Sequence, residues 1–406
     1  MRNLKDSGIE WLGDIPQDWS TKPLRAIMEP RTGKNVGLIR SEYLSLLASR
    51  GVIPYEEKGD IGNKSPDDLS KCKLVDVGDF VLNSMNFGIG SFGVSRYRGI
   101  CSQVYVILRP KEEIAFPDFL KQIFQLTPFQ KYVQSFGNGI LEHRAAIGWD
   151  ELKNLHFPLP PMREQEKIAG YLEMETKKID ELINKQKQLI EFLEERRKAT
   201  ILKAVTKGLD SSVEYVDSGI AWLGLIPAKW ELRRLRHFAS LESGKDYKDY
   251  EVTEEGYPVM GSGGEFARVA RSLFCGESVL FGRKGTINKP LYVNTCFWTV
   301  DTMYYTRISE IALPKYIYYW ATTIPYEYYS TQTALPSMTS TDIKSFAMPF
   351  PPKNEQVEIV KMLDYEIGEI DNLIAKTRSF IELSIERRQA LIAAAVTGKL
   401  ELGKVS

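Results

Sequence analysis

Two sets of amide and basic side chains surround glycines at matched places along the chain. Asn83, Asn86, Arg96 and Arg98 flank the run Gly88-Ile89-Gly90-Ser91-Phe92-Gly93. Arg283, Lys284, Thr286, Asn288 and Lys289 sit around Gly282 and Gly285. Asparagine can pair two hydrogen bonds with adenine, and arginine can do the same with guanine. Arginine and lysine also neutralise phosphates. The chemistry on offer is therefore the reading of a nucleic acid. Arg31, Lys34 and Arg40 add charge to the first half, and Lys229, Arg233, Arg234, Arg236 and Arg268 to the second. Asn138, in Gly137-Asn138-Gly139-Ile140 and followed by Arg144, holds a position similar to that of Ser337 and Thr339. Any one of these alone is an ordinary solvated side chain. Their recurrence in both halves is what makes the set informative.

Other chemistries fail on context. Gly88 to Gly93 matches G-x-G-x-x-G, but Val94-Ser95-Arg96-Tyr97-Arg98-Gly99 follows it where a dinucleotide fingerprint needs a helix. The run reads instead as a glycine loop between strands, flexible or lying close to a ligand backbone. Pro117-Asp118 with Glu151-Leu152-Lys153 imitates a magnesium-dependent nuclease, yet the second half has no aligned counterpart. Neither Arg31-Thr32-Gly33-Lys34-Asn35 nor Gly282-Arg283-Lys284-Gly285-Thr286 has P-loop spacing, and no H-E-x-x-H or G-x-S-x-G occurs. The Asn/Asp-Pro-Pro-aromatic tetrad of amino-methyltransferases is also missing. No catalytic centre and no resident cofactor is expected on this chain.

Composition narrows the class further. The 53 basic and 53 acidic side chains cancel, so any nucleic-acid surface must be a local basic face on a neutral molecule. No apolar run is long enough to span a bilayer, and the N-terminal segment lacks a signal-peptide core, which points to the cytoplasm. Cys72, Cys101, Cys275 and Cys296 form no C-x-x-C pair, and His143, His156 and His237 are scattered. These spacings predict no metal site and four buried free thiols in a reducing compartment.

The elements that must position these loops come in duplicate. Residues 6–19 read DSGIEWLGDIPQDW and residues 217–230 read DSGIAWLGLIPAKW. Residues 158–165 read PLPPMREQ and residues 349–356 read PFPPKNEQ. A repeat of about two hundred residues exceeds solenoid units, which recur every ~20–50 residues. It reads as two half-molecules in tandem with internal pseudo-twofold symmetry, which suits a two-part partner such as DNA with two half-sites. Within the first half, residues 79–82 and 103–108 read as strands, and 117–134 as a helix broken at Pro128. GESVLF (276–281) echoes GDFVLN (78–83). The two mixed segments share a plan but little detailed sequence.

Residues 162–207 and 353–397 are nearly free of glycine and proline and rich in helix formers. Leu172, Thr176, Ile179, Ile183, Gln186, Ile190, Leu193 and Arg197 follow a 3–4 spacing. Leu363, Ile367, Ile370, Ile374, Thr377, Ile381, Ser384 and Arg388 match them in the second helix. Each stripe is a coiled-coil seam interrupted by polar residues that fix register. About 45 helical residues span roughly 65 Å, too long to lie on one domain of this size, so the two seams are expected to bury each other as an antiparallel pair. The diprolines Pro160-Pro161 and Pro351-Pro352 impose an extended approach and then let helix begin.

These motifs resemble the specificity (S) subunit of type I restriction–modification enzymes. The resemblance covers essentially the whole chain. It rests on the duplicated D-S-G-I-x-W-L-G-x-I-P-x-x-W and P-x-P-P-x-x-E-Q motifs, and on the E-R-R-x-A…A-V-T endings from Glu195 to Thr206 and Glu386 to Thr397. It implies an α+β architecture: target recognition domains at 1–155 and 211–347, and conserved spacer helices at 156–210 and 348–406. It further implies a bipartite double-stranded DNA target, two docked methyltransferase subunits, and restriction (translocase) subunits that join for cleavage. S-adenosylmethionine, ATP and Mg would belong to those partners. A related methyltransferase system without a translocase and a coiled-coil protein adaptor are the competing readings.

Overall fold

The two stretches nearly free of glycine and proline fold as single helices, Met162–Lys207 and Lys353–Val396. The structure is a computed structural model and describes residues 3–48, 50–61, 64–85, 87, 90–136, 147–329 and 336–400. It divides into two compact units. One holds Met1–Lys185 with Ser379–Ser406, and the other holds Gln186–Arg378. Each unit thus contains one mixed domain and part of each long helix.

In the first unit a four-stranded antiparallel sheet runs in the order Met28–Pro30, Tyr105–Pro110, Phe80–Asn83, Phe92–Val94. Alternation in these short strands sends Phe80 and Leu82 into the same core as the helices Pro117–Phe124 and Thr127–Gln134. Phe124 lies 5.4 Å from both Phe80 and Phe129 and 5.6 Å from Phe157, ring centre to ring centre. The helix break falls at Gln125 and Leu126. Pro128 sits in the first turn of the second helix, where a missing N–H costs nothing. A hairpin of Leu44–Leu47 and Gly51–Pro54 stands beside the sheet.

The second unit repeats this plan. Its sheet runs Ala239–Ser243, Met303–Ile308, Ser278–Gly282, Leu291–Val293, with the helix Pro314–Ala321 packed against it. Where the first unit has the simple hairpin, the second carries a five-stranded sheet: Glu251–Val252, Gly264–Val269, Tyr257–Gly261, Cys296–Thr299 and Phe274–Cys275. The recognition of a common plan with divergent detail therefore extends to whole strands. At the base of each domain, the strand before the diproline pairs with the strand after the entry motif: His156–Leu159 with Ser20–Pro23, and Ala347–Phe350 with Glu231–Arg234.

The helix seams are buried as the spacing predicts. Leu172, Ile183, Leu193, Leu363, Ile367, Ile370 and Ile374 are buried, and Ile179, Ile190 and Ile381 are half-buried. Pairing is antiparallel: in the second unit Arg197 meets Asp371 at 3.1 Å and Glu194 meets Arg378 at 3.5 Å. The polar seam residues Thr176, Thr377 and Ser384 satisfy their hydroxyls by donating to the carbonyls of Leu172, Leu373 and Phe380, one turn back.

One expectation is corrected. Cys72 and Cys101 are buried free thiols, but Cys275 and Cys296 form a disulfide. They stand directly opposite on antiparallel strands, a proximity that their separation of 21 residues does not disclose. No helix among the described residues is long and apolar enough to cross a membrane.

Candidate nucleic-acid interface

The entry motif is a small device that the sequence repeats because its geometry is needed twice. The Asp6 carboxylate accepts from the Gly8 amide at 2.9 Å, and Asp217 from Gly219 at 3.0 Å. Both glycines are left-handed, with φ of 68° and 70°. The turn ends on a tryptophan at the root of the long helix. The Trp19 indole donates to Glu164 at 3.0 Å, in the helix's first turn. In the second unit Glu355 faces Lys229 at 3.6 Å instead, and the buried Trp230 indole N–H has no partner among the described residues.

From this base, the central strand of each domain delivers a loop. Ser278–Gly282 leads into residues 283–289. Gly282 admits the loop closely: a Cβ there would stand 2.4 Å from the Thr286 carbonyl. The loop is clasped to the segment before the helix Ser340–Ser345. The Met338 amide donates to the Arg283 carbonyl at 3.0 Å, and the Gly285 amide to Pro336 at 2.9 Å. Lys284 bridges to Ser337. The structure therefore brings Arg283, Lys284 and Ser337 together, with Thr286, Asn288 and Lys289 exposed on the same loop. Thr339 is exposed, but its hydroxyl and amide both serve the Asp342 carboxylate as the helix cap. The first unit has the same clasp, with the Ile147 amide donating to Ser84 at 3.0 Å. Asn83 turns its Oδ1 to the Met85 amide at 3.1 Å. Asn86, Asn138 and Arg144 lie outside the described residues.

Several basic candidates have prior partners. Arg31 sits 2.6 Å from Asp76 and 3.3 Å from Asp79, while Arg40 and Arg98 reach Asp76 at 2.9 and 3.0 Å. Arg109 reaches Asp79 at 2.7 Å. Burial pushes the Asp76 carboxyl up, but Arg40, Arg31 and Arg98 outweigh it and hold it below the usual carboxylate range. Burial raises the Asp79 carboxyl above that range, and the Asp76 amide, Arg109 and Arg31 offset this only in part. A phosphate at Arg31 or Arg98 would have to displace a carboxylate. Arg233 pairs with Glu231 at 2.6 Å and lies 4.9 Å over the Phe350 ring, at the domain base. Arg268 pairs with Glu265 at 2.8 Å and donates to the Gly256 carbonyl. Lys34 is exposed. The more available cations are thus Lys34, Arg96, Lys284 and Lys289, which no described carboxylate holds. Among the described residues no group of His, Cys, Asp or Glu is placed to share a metal ion.

A model of the type I restriction modification DNA specificity domain matches residues 16–192 and again residues 227–382. The chain belongs to this family. It is 24% identical over 96% of its length to the putative type I restriction enzyme MjaX specificity subunit of Methanocaldococcus jannaschii, covering 96% of that protein. Against the EcoKI specificity subunit of Escherichia coli the figures are 21%, 96% and 90%. Among solved structures, a chain from work on assembly and conformational transition of the type I R-M system superposes with a TM-score of 0.75 at 16% identity, over 95% of this chain and 99% of that one. The HsdS subunit of Thermoanaerobacter tengcongensis superposes at 0.53 and 16% identity, with 95% and 98% covered. The two matched stretches of the specificity domain each run from the entry motif into a long helix.

Within the family motifs, sequence reasoning missed two glutamines. In each P-x-P-P-x-x-E-Q the final side chain is buried and latches three backbone groups. Gln165 accepts from the Phe116 amide at 2.8 Å and donates to the carbonyls of Pro160 and Ile114. Gln356 repeats this with Leu313, Pro351 and Ile311. The signal was visible, since Gln is the last residue the two motifs share, but only the fold shows what it holds.

Proposed function

We propose that the chain serves as the non-catalytic specificity subunit of a type I restriction–modification complex. Each mixed domain reads one half of a split double-stranded DNA target, and the long helices set the interval between the halves. The observation that carries this reading is the duplicated clasp. In both domains the central strand presents a loop bonded to the segment before a short helix, Ile147 to Ser84 and Met338 to Arg283, while the loop sequences differ. The scaffold is constant and the reading surface varies, as two unlike half-sites require. Phosphate contacts would set register and loop side chains would identify bases. The paired helices and their repeated roots would seat two methyltransferase subunits, and restriction (translocase) subunits would join for cleavage. S-adenosylmethionine, ATP and Mg would reside on those partners. Each methyltransferase would act on an adenine withdrawn from the stack.

Sequencing the methylome of cells that express the chain with its methyltransferase partner tests this reading. The expected result is a split motif with one adenine modified on each strand. A continuous motif, or no modification, overturns it.

A further inference from the structure

The hairpin tip in the first unit, the strand Phe92–Val94, the two short helices and the end of the second long helix enclose a polar cleft of about 780 Å³. Arg50, Arg96, Lys121 and Arg388 line it, and Glu57 is the only carboxylate among the described residues of its walls. The cleft is built rather than incidental. Gly93 brings two backbones into contact, since a Cβ on it would stand 2.8 Å from the Val52 amide nitrogen and 2.9 Å from the Gly51 Cα. That approach carries the hairpin tip, with Arg50, to the rim from which Arg96 projects. The turn holding Arg96 is anchored by buried Ser95, whose hydroxyl donates to the Tyr97 carbonyl at 2.8 Å and accepts from the Tyr97 amide at 3.2 Å. Arg388 is held by Asp180 at 3.1 Å and Gln125 at 3.2 Å. Arg50 leans on Glu57 at 3.5 Å. Among the described residues, no carboxylate pairs with Arg96 or Lys121, so both can meet a ligand.

We propose that this cleft binds the phosphodiester backbone of duplex DNA, with Arg96 and Lys121 as phosphate ligands and Arg50 and Arg388 supplying the surrounding positive field. The inference rests on the specificity-subunit reading and adds a sequence-independent contact to it. Two cations that no described carboxylate holds, with two ion-paired arginines beside them and mostly polar walls, suit a run of phosphates. A protein partner would call for an apolar or aromatic anchor at the centre, and the cleft offers little apolar surface.

The test uses the chain assembled with its methyltransferase partner, the duplex carrying its methylated motif, and a scrambled duplex. Each neutralised phosphate contact makes the slope of log K against log salt shallower by about 0.9. R96Q/K121Q is expected to flatten that slope by nearly 2 on both duplexes, and Glu57→Gln, which removes the carboxylate beside Arg50, to tighten binding on both. Both changes are at exposed or half-exposed positions, and an unchanged Tm verifies the fold. An unchanged slope overturns the proposal. So does a loss confined to the cognate duplex, which would make these side chains base readers. A loss of subunit assembly with intact DNA affinity also overturns it, by making the cleft a protein seat. A wild-type complex that retains neither duplex refutes the specificity reading itself, and this inference falls with it.

Discussion

The side-chain oxygen of Gln165 accepts a 2.8 Å hydrogen bond from the backbone amide of Phe116, tying the first turn of a 46-residue helix to the segment that opens a short domain helix. Gln356 makes the same tie to Leu313 at 2.9 Å. A glutamine amide offers both an acceptor and donors, and here both ends are used. The angle at which chain leaves domain and enters helix is therefore held by hydrogen bonds as well as by the diproline.

Gln165→Ala is expected to cost about 1–3 kcal/mol, the penalty for leaving buried backbone groups unpaired. Gln165→Glu should not rescue it, because the carboxylate keeps the Phe116 bond but loses donation to Pro160 and buries a charge. Gln356→Ala should cost a similar amount. Urea unfolding of the wild type and three variants checks this, and equal stability of Gln165→Glu and wild type would refute it.

Gly93 gives a second prediction. A methyl at this position meets backbone rather than a yielding side chain, with 2.8 Å to the Val52 nitrogen. Gly93→Ala should destabilise the first unit by about 1–3 kcal/mol, as overpacking does. Gly263→Ala, with nothing within 4 Å of the added Cβ, should change stability by less than about 0.5 kcal/mol. Thermal unfolding of both variants measures the difference.

How much of this was legible beforehand follows from what each feature depends on. The long helices were readable because composition and a 3–4 seam are local properties, and Leu172, Ile183, Leu363 and Ile370 are buried where that spacing puts them. The break near Pro128 was readable for the same reason. The carboxylates that hold Arg31 were not, because Asp76 and Asp79 reach it only once the sheet forms. Basic residues near glycines thus looked alike in the sequence, although Arg98 pairs with Asp76 and no described carboxylate holds Arg96. The last glycine of the G-x-G-x-x-G run lies against another strand's backbone, a contact that no linear pattern encodes. Cys275 and Cys296 escaped notice because strand pairing, not spacing, sets them opposite.

The arginine–aspartate cluster predicts a pH dependence. The Asp76 carboxyl is held below its ordinary range, so its contribution is present above about pH 4 and is lost as pH falls through the lowered value. Asp79 is raised, so its contribution runs oppositely: present in acid, and lost as pH rises through the raised value. Asp76→Asn removes only the first. It should cost about 2 kcal/mol at pH 7, the scale of a charge-assisted bond, and distinctly less at pH 3. Urea midpoints at the two pH values decide. An equal loss at both would mean that the Asp76 charge contributes nothing to folding stability.

The exposed loop of the second domain supports the last prediction. Its root is fixed by the Arg283 amide on the Thr302 carbonyl at 2.8 Å and by the Met338 amide on the Arg283 carbonyl at 3.0 Å, so substitutions beyond the root change side chains without moving the backbone. Asn288, a base reader in this scheme, should lose about 1–3 kcal/mol of cognate affinity on Asn288→Ala and relax one position of the target. Lys289→Ala, a phosphate contact, should weaken cognate and scrambled duplexes alike and leave the motif unchanged. Methylome sequencing separates the two. Because Asn288 lies in only one of the two domains, relaxation must fall in a single half of the split motif. Relaxation in both halves, or a change in the interval between them, would show that residues 283–289 act on the frame of the molecule and not on the bases.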